Sequence, residues 1–155
     1  MARGRKPPTQ ADPVDFAGLR SYIGYMARQA QTAVFRDFAR ITEETGLTPG
    51  EFSLLTLIGA NPGINQITLV TLHNLDKSTL SLAIRDLMRQ ELIERKKDSR
   101  DGRYYALRLT RQGALQLEKA TALVEEQERK MDATLKAGER AQLLDMLRRL
   151  SKAFD

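Results

Sequence analysis

Between residues 85 and 111 stand nine cations, Arg85, Arg89, Arg95, Lys96, Lys97, Arg100, Arg103, Arg108 and Arg111, against five acids, Asp86, Glu91, Glu94, Asp98 and Asp101. That local excess of four, together with Arg3, Arg5 and Lys6 near the start, leaves the rest of the chain at −2 within a total of +5. A positive field focused on two segments suits a polyanion. Within residues 75–113 a short helix is followed by a basic hairpin whose tip holds Arg100 and Arg103. A helix of that size fits the major groove of duplex DNA, and arginines on a projecting turn follow the phosphates or enter the neighbouring minor groove. Taken without a fold around it, such a cluster is more often a solvated face. The surrounding elements weigh against that reading.

Other chemistry finds little material. With no cysteine and one histidine, the sequence offers no disulfide, thiolate or cysteine-ligated zinc, and no histidine metal cluster. It also lacks a glycine-rich phosphate loop, so neither an enzyme nor a bound cofactor is expected. The 155 residues suffice for one domain with a real core. No apolar run approaches the ~20 residues that span a bilayer, and the opening MARGRKPPTQADP lacks the apolar stretch of a signal peptide. The expectation is a cytoplasmic protein with no membrane partner.

The elements that would position the cluster follow from periodicity and caps. Residues 1–13 are polar and proline-broken, a flexible basic arm whose cations are either idle or draw phosphates generically. Leu19, Ile23, Met26, Ala30, Val34, Phe38 and Ile41 then recur at steps of three and four, predicting a helix that ends near Gly46. Thr48, Pro49 and Glu51 form a capping-box pattern for a second helix, about Glu51 to Ala60, stopped by Asn61-Pro62-Gly63. A third helix fits 65–72, with a tight turn at His73-Asn74. Asp76 caps a fourth, Lys77 to about Gln90, with Leu80, Ala83, Ile84, Leu87 and Met88 inward and Lys77, Ser78, Ser81, Leu82 and Arg85 outward. The last two helices match a helix-turn-helix.

Beyond it the period changes to two. Ile93–Lys97 and Tyr104–Leu109 read as paired strands, Tyr105, Leu107 and Leu109 alternating with Tyr104, Ala106 and Arg108, around a turn at 98–103 in which Gly102 supplies positive φ. Thr110 caps a helix carrying Leu117, Ala120, Leu123, Val124 and Met131, and after Gly138 a last helix is striped by Leu143, Leu147, Leu150 and Phe154. The fold expected is mainly α with a small two-stranded β-wing. One domain spans 14–155: helices at about 14–46 and 111–155 make a dimerisation layer, and about 48–110 form the DNA-binding part. Apolar surface left over on that layer suits a two-fold partner.

The runs Leu75-Asp76-Lys77-Ser78-Thr79, Asp98-Ser99-Arg100-Asp101-Gly102-Arg103 and Leu109-Thr110-Arg111-Gln112-Gly113 resemble the multiple-antibiotic-resistance regulator (MarR) family of transcription factors. The order of helices around the wing matches as well. The resemblance implies a homodimer with intertwined first and last helices, bound to a pseudo-palindromic operator, usually as a repressor released by a small ligand. It makes Lys77–Gln90 the recognition helix, with Ser78, Thr79 and Ser81 at base edges or phosphates. Arg100 corresponds to the wing arginine of the minor groove and Asp98 to the aspartate that positions it. The DNA-contact set is then Lys77, Ser78, Thr79, Ser81, Leu82, Arg85, Lys97, Asp98, Arg100 and Arg103. Three departures leave the operator sequence open: Leu82 where relatives often have arginine, His73-Asn74 for leucine-glycine, and Glu91 at a common glycine site. Leu82 suits a thymine methyl.

For the effector, the resemblance directs attention to the first helix. Tyr22, Tyr25, Met26 and Phe35 lie near where relatives bind small aromatic ligands, and Arg28, Arg36 or Arg40 can meet a carboxylate. An aromatic carboxylate or its coenzyme A thioester fits; a plain core stripe is the competing reading. A nucleoid-type architectural protein, binding DNA by charge with little sequence choice, is the alternative function.

Overall fold

Thr48 opens a helix with a complete N-terminal cap. Its hydroxyl accepts from the Glu51 N–H at 3.2 Å, while the Glu51 carboxylate accepts from the Thr48 N–H at 2.9 Å, a complete capping box over α2, Pro49–Ala60. The structure is a computed structural model and describes residues 15–73, 77–97 and 105–154. It comprises two units, Met1–Val34 and Phe35–Asp155. The division falls within the first helix, α1, Ile23–Ile41.

In the first unit a single 3-10 turn, Leu19–Ser21, precedes α1, and the Arg20 guanidinium lies 4.2 Å from the Phe16 ring centroid. The apolar stripe therefore begins outside the helix. At its other end α1 stops at Ile41 rather than near Gly46. Thr42 and Thr45 cause the break: the buried Thr42 hydroxyl lies 2.8 Å from the Phe38 carbonyl and 3.1 Å from that of Leu47, and the Thr45 hydroxyl donates to the Thr42 carbonyl. These bonds satisfy the carbonyls of the last turn and tighten it into a 3-10 turn, Glu43–Thr45, closed by Gly46 at φ 63°. Of the residues in α1 only Phe38 is buried, its ring 5.8 Å from that of Phe52.

The second unit holds the core. After α2 come β1 (Ile64–Asn65), α3 (Gln66–His73), α4 (Lys77–Arg89), β2 (Ile93–Lys97), β3 (Tyr105–Leu109), α5 (Arg111–Asp132) and α6 (Glu139–Lys152). Leu54, Leu55 and Ile58 of α2, Leu69 of α3, Leu80, Ile84 and Leu87 of α4, Leu92, Ile93 and Leu107 pack together with Ala120 of α5. Burying so many leucine and isoleucine side chains supplies roughly 1.5–3 kcal/mol each of hydrophobic stabilisation before chain entropy is charged against it.

Several expectations change. The sheet has three antiparallel strands, in the order β1-β3-β2, with Ile64 opposite Leu107 and Asn65 opposite Ala106. Gly63, at φ 96°, turns the chain into β1, and His73 belongs to α3 rather than to the turn after it. Met88 is exposed, since α4 buries the narrower row Leu80, Ile84, Leu87. In β3 the alternation fails at its outer end: Ala106 is buried beside β1, and Tyr105 is exposed beyond the core. Leu123, Val124 and Met131 of α5 are half-buried, and α6 buries nothing, leaving Leu143, Leu147, Leu150 and Phe154 exposed. A salt-bridge pair fixes the elbow between these helices, Arg140 reaching Asp132 at 2.5 Å and Glu128 at 3.0 Å.

Candidate nucleic-acid interface

Placing a groove-reading helix requires that its inner face be locked and its outer face left available. Leu80, Ile84 and Leu87 do the first, and the i, i+4, i+7 row Ser78, Leu82, Arg85 forms the exposed face. Thr79 is exposed beside it. Leu82 is 54% exposed, a large apolar side chain presented to solvent. No described acid forms an ion pair with Arg85, whereas Arg89 is held by Asp86 at 2.9 Å. Lys77 opens the helix.

Ser81 is placed differently from its neighbours. It is half-buried, and its hydroxyl accepts a hydrogen bond from Gln66 Nε2 at 2.7 Å. Gln66 is the first residue of α3, so this bond ties the two helices of the helix-turn-helix together close to the start of the second. The other end of α4 is tied from two sides. Gln90 Nε2 donates to the Glu51 carboxylate at 3.2 Å, and the Gln90 carbonyl accepts from Gln112 Nε2 at 3.4 Å. The α2 capping box thus also clamps the far end of the candidate recognition helix. The sequence marked Glu51 for its capping box but none of these partnerships, because each joins residues far apart in the chain.

After α4 the backbone reverses through Glu91, whose φ of 57° lies in the left-handed region. The departure from glycine noted at this position is therefore a strained one. The hairpin that follows pairs Ile93 with Leu109, Arg95 with Leu107 and Lys97 with Tyr105. Lys97 closes β2; Asp98, Arg100, Arg103, Gly102 and Tyr104 lie outside the described residues, as do Asn74, Asp76 and the N-terminal arm.

Of the effector candidates, Tyr22 precedes α1 and Tyr25, Met26, Arg28, Phe35 and Arg36 lie along it. Tyr25 is half-buried and the other five are exposed. A separate cavity of about 820 Å³ in the second unit is lined by Glu44, Thr45 and one stretch of α5 from Arg111 to Leu123, and none of the six candidates lines it. Gln116 donates to the Thr45 carbonyl across its wall. Asp37 receives a hydrogen bond from Gln127 at 3.1 Å, and its salt bridge to Arg40 holds its carboxyl below the usual aspartate range. Among the described residues no group of three or more acidic or histidine side chains is arranged to hold a metal ion. No described helix is long and apolar enough to cross a membrane.

Residues 47–105, from the end of the 3-10 turn through the helix-turn-helix and into the wing, match the model of the MarR family. A Thauera aromatica protein, named as a transcriptional regulatory protein for the hcr operon, is 32% identical over 97% of this chain and 92% of its own. The solved structure of the transcriptional repressor CouR bound to a 23-mer DNA duplex superposes with a TM-score of 0.84 at 30% identity, over 90% of this chain and 99% of that one. The PcaV transcriptional regulator of Streptomyces coelicolor, in complex with its natural ligand, gives 0.79 at 27% identity, over 94% and 100%. CouR has also been solved bound to p-coumaroyl-CoA, at 0.82 and 29% identity, over 90% of this chain and 98% of that one. With 32% identity to one regulator over nearly the full length and the winged-helix fold of the others, the chain belongs to the MarR family and is a transcriptional regulator of that type.

Proposed function

We propose that this regulator is a ligand-responsive repressor that binds a pseudo-palindromic operator as a homodimer and is released by a small aromatic acid or its coenzyme A thioester. The observation that carries the DNA side is the exposed row Ser78, Leu82, Arg85 on a helix anchored at both ends, by Gln66–Ser81 and by Glu51–Gln90–Gln112. The recognition helix enters the major groove through Lys77, Ser78, Thr79, Leu82 and Arg85, and Ser81 contributes by its placement as much as by contact. Lys97, Asp98, Arg100 and Arg103 form the wing that follows the backbone into the minor groove. Residues 14–155 act as one domain, and it works in the cytoplasm, where the operator is.

Dimerisation is supported by apolar surface that one chain leaves in water: Leu143, Leu147 and Leu150 on α6, Phe154 just beyond it, and Ile23, Met26 and Phe35 on α1. Two copies set the recognition helices about one DNA turn apart, roughly 34 Å, one for each half-site. The effector assignment rests on the exposed Tyr22, Met26 and Phe35, with Arg28 and Arg36 in the same stretch of sequence, and on structural relatives solved with p-coumaroyl-CoA and with a natural ligand. An effector that prefers a dimer with wrongly spaced recognition helices moves the population away from the DNA-competent form.

Footprinting on the DNA around the coding region, with and without a panel of aromatic acids and their coenzyme A thioesters, tests this. A protected inverted repeat that disappears with one compound is expected. Equal affinity for random duplex would favour the architectural alternative, and a flat response across the panel would remove the effector class. Arg100→Ala should weaken operator binding by about 1 to 3 kcal/mol with the dimer intact.

A further inference from the structure

One of the cations on the hairpin stem, Arg95, is set apart by its partner. Directly opposed residues share a face of an antiparallel pair, so Ile93, Arg95, Tyr105, Leu107 and Leu109 all lie on one side of the β2–β3 ribbon. The inner half of that side is core: Ile93 and Leu107 are 3% and 1% exposed and pack in one cluster with Leu80, Ile84 and Leu87 of α4. One step outward the cover ends. Arg95 is exposed and Tyr105 is 45% exposed, so this half of the ribbon face lies outside the core.

There the two side chains hold each other. The Arg95 guanidinium carbon lies 3.8 Å from the centroid of the Tyr105 ring, the diagonal cross-strand contact that the register allows. Among the described residues Arg95 has no acidic partner, while its neighbour Lys96 is occupied by Glu94 at 2.8 Å. A guanidinium resting on a ring has already lost much of its rotamer freedom in the folded protein, yet its N–H fork stays available at the ring's edge. That fork matches the oxygens of a phosphodiester. On the hairpin stem it offers a phosphate contact apart from the Ser78, Leu82, Arg85 row of the helix.

We infer that Arg95, pre-set by Tyr105, is a phosphate clamp on the DNA backbone between the recognition helix and the wing tip. This rests on the DNA-binding reading proposed above. It assigns Arg95 to affinity and positioning and not to sequence choice, since phosphate contacts carry no base information.

The test is a salt titration of binding to the operator and to a random duplex, for the full-length chain and for Arg95→Gln, Arg95→Lys, Tyr105→Phe and Tyr105→Ala. Arg95→Gln should weaken both duplexes by a similar factor, about 5- to 20-fold, and flatten the slope of log K against log salt by about one phosphate contact. Arg95→Lys, which keeps charge but not the fork, should fall between. Tyr105→Phe keeps the ring and should match the parent, whereas Tyr105→Ala should show part of the Arg95→Gln loss. Urea unfolding of each variant separates a binding loss from a folding loss, and a Tyr105→Phe protein that folds like the parent but loses the slope would overturn the stacking role. An Arg95→Gln protein with unchanged affinity and slope, alongside a weakened Arg100→Ala, would overturn the clamp while leaving the wing in place. A loss confined to the operator would replace the clamp by base readout. If the parent itself binds neither duplex, the DNA-binding reading fails and the clamp with it.

Discussion

Gly113 lies against Leu92 so closely that a Cβ at residue 113 would stand 1.9 Å from the Leu92 carbonyl oxygen and 2.8 Å from its carbonyl carbon. The Thr110 hydroxyl completes this joint, accepting from the Gly113 N–H at 2.9 Å and donating to the Glu91 carbonyl at 2.6 Å. Thr110 therefore caps α5 and at the same time grips the turn between α4 and β2. The Leu-Thr-x-x-Gly spacing is the sequence form of this fastening: a hydroxyl at the N-cap, and no side chain three residues later where the helix presses on a backbone.

Gly113→Ala forces that backbone apart. Overpacking against main chain, with no flexible side chain to yield, should cost roughly 3 kcal/mol. Gly50→Ala, in α2 with nothing within 4 Å of the added Cβ, should be neutral or slightly stabilising. Urea denaturation of the two variants makes the comparison; equal midpoints would contradict the close approach.

Glu91→Gly relieves a left-handed residue that carries a side chain, φ 57°. The gain should be about 1 kcal/mol, since the strain of an L-residue there exceeds the added chain entropy of glycine. A higher thermal midpoint with unchanged DNA affinity is expected. A lower one would mean that the Glu91 side chain makes a stabilising contact.

Gln66→Ala and Ser81→Ala should behave alike, because they remove two ends of one half-buried bond. Each should cost about 1 kcal/mol of stability, and the double variant little more than either single one. On DNA, affinity should fall by a similar factor for matched and mismatched operators, the signature of a displaced helix. A Ser81→Ala defect that vanishes when one base pair is changed would assign Ser81 to base readout instead.

Leu147→Asp places a charge on the exposed apolar face of α6. In the proposed dimer that face is buried, and desolvating an unpaired carboxylate should weaken association by about two orders of magnitude. Sedimentation would then show monomer where the parent is dimeric. An unchanged dimer would place the interface elsewhere.

Local signals in the sequence carried furthest. Thr48 with Glu51, Thr110 with Gly113 and the switch of period after Gln90 located α2, α5 and the hairpin, because caps and alternation are properties of neighbouring residues. The stripe on α1 gave its face but not its ends, since hydroxyls of Thr42 and Thr45 set where the helix tightens and stops. β1 spans two residues, too few to show a period, and exists only through its pairing with β3. The anchors of the recognition helix, Gln66–Ser81 at a separation of 15 and Glu51–Gln90 at 39, are long-range and leave no trace in spacing. Exposure along α1 and α6 was equally hidden, because an apolar pattern reports that a face is to be covered and not by which molecule.

Selection of bound duplexes from a random pool, with the number of chains per selected duplex measured by sedimentation, tests the central claim most directly. Two copies of one exposed helix face, Ser78, Leu82 and Arg85, held at a fixed separation, should enrich an inverted repeat with half-site centres one helical turn apart and bind it as two chains per duplex. A pool that yields no shared sequence at moderate salt, or one chain per duplex, would contradict it.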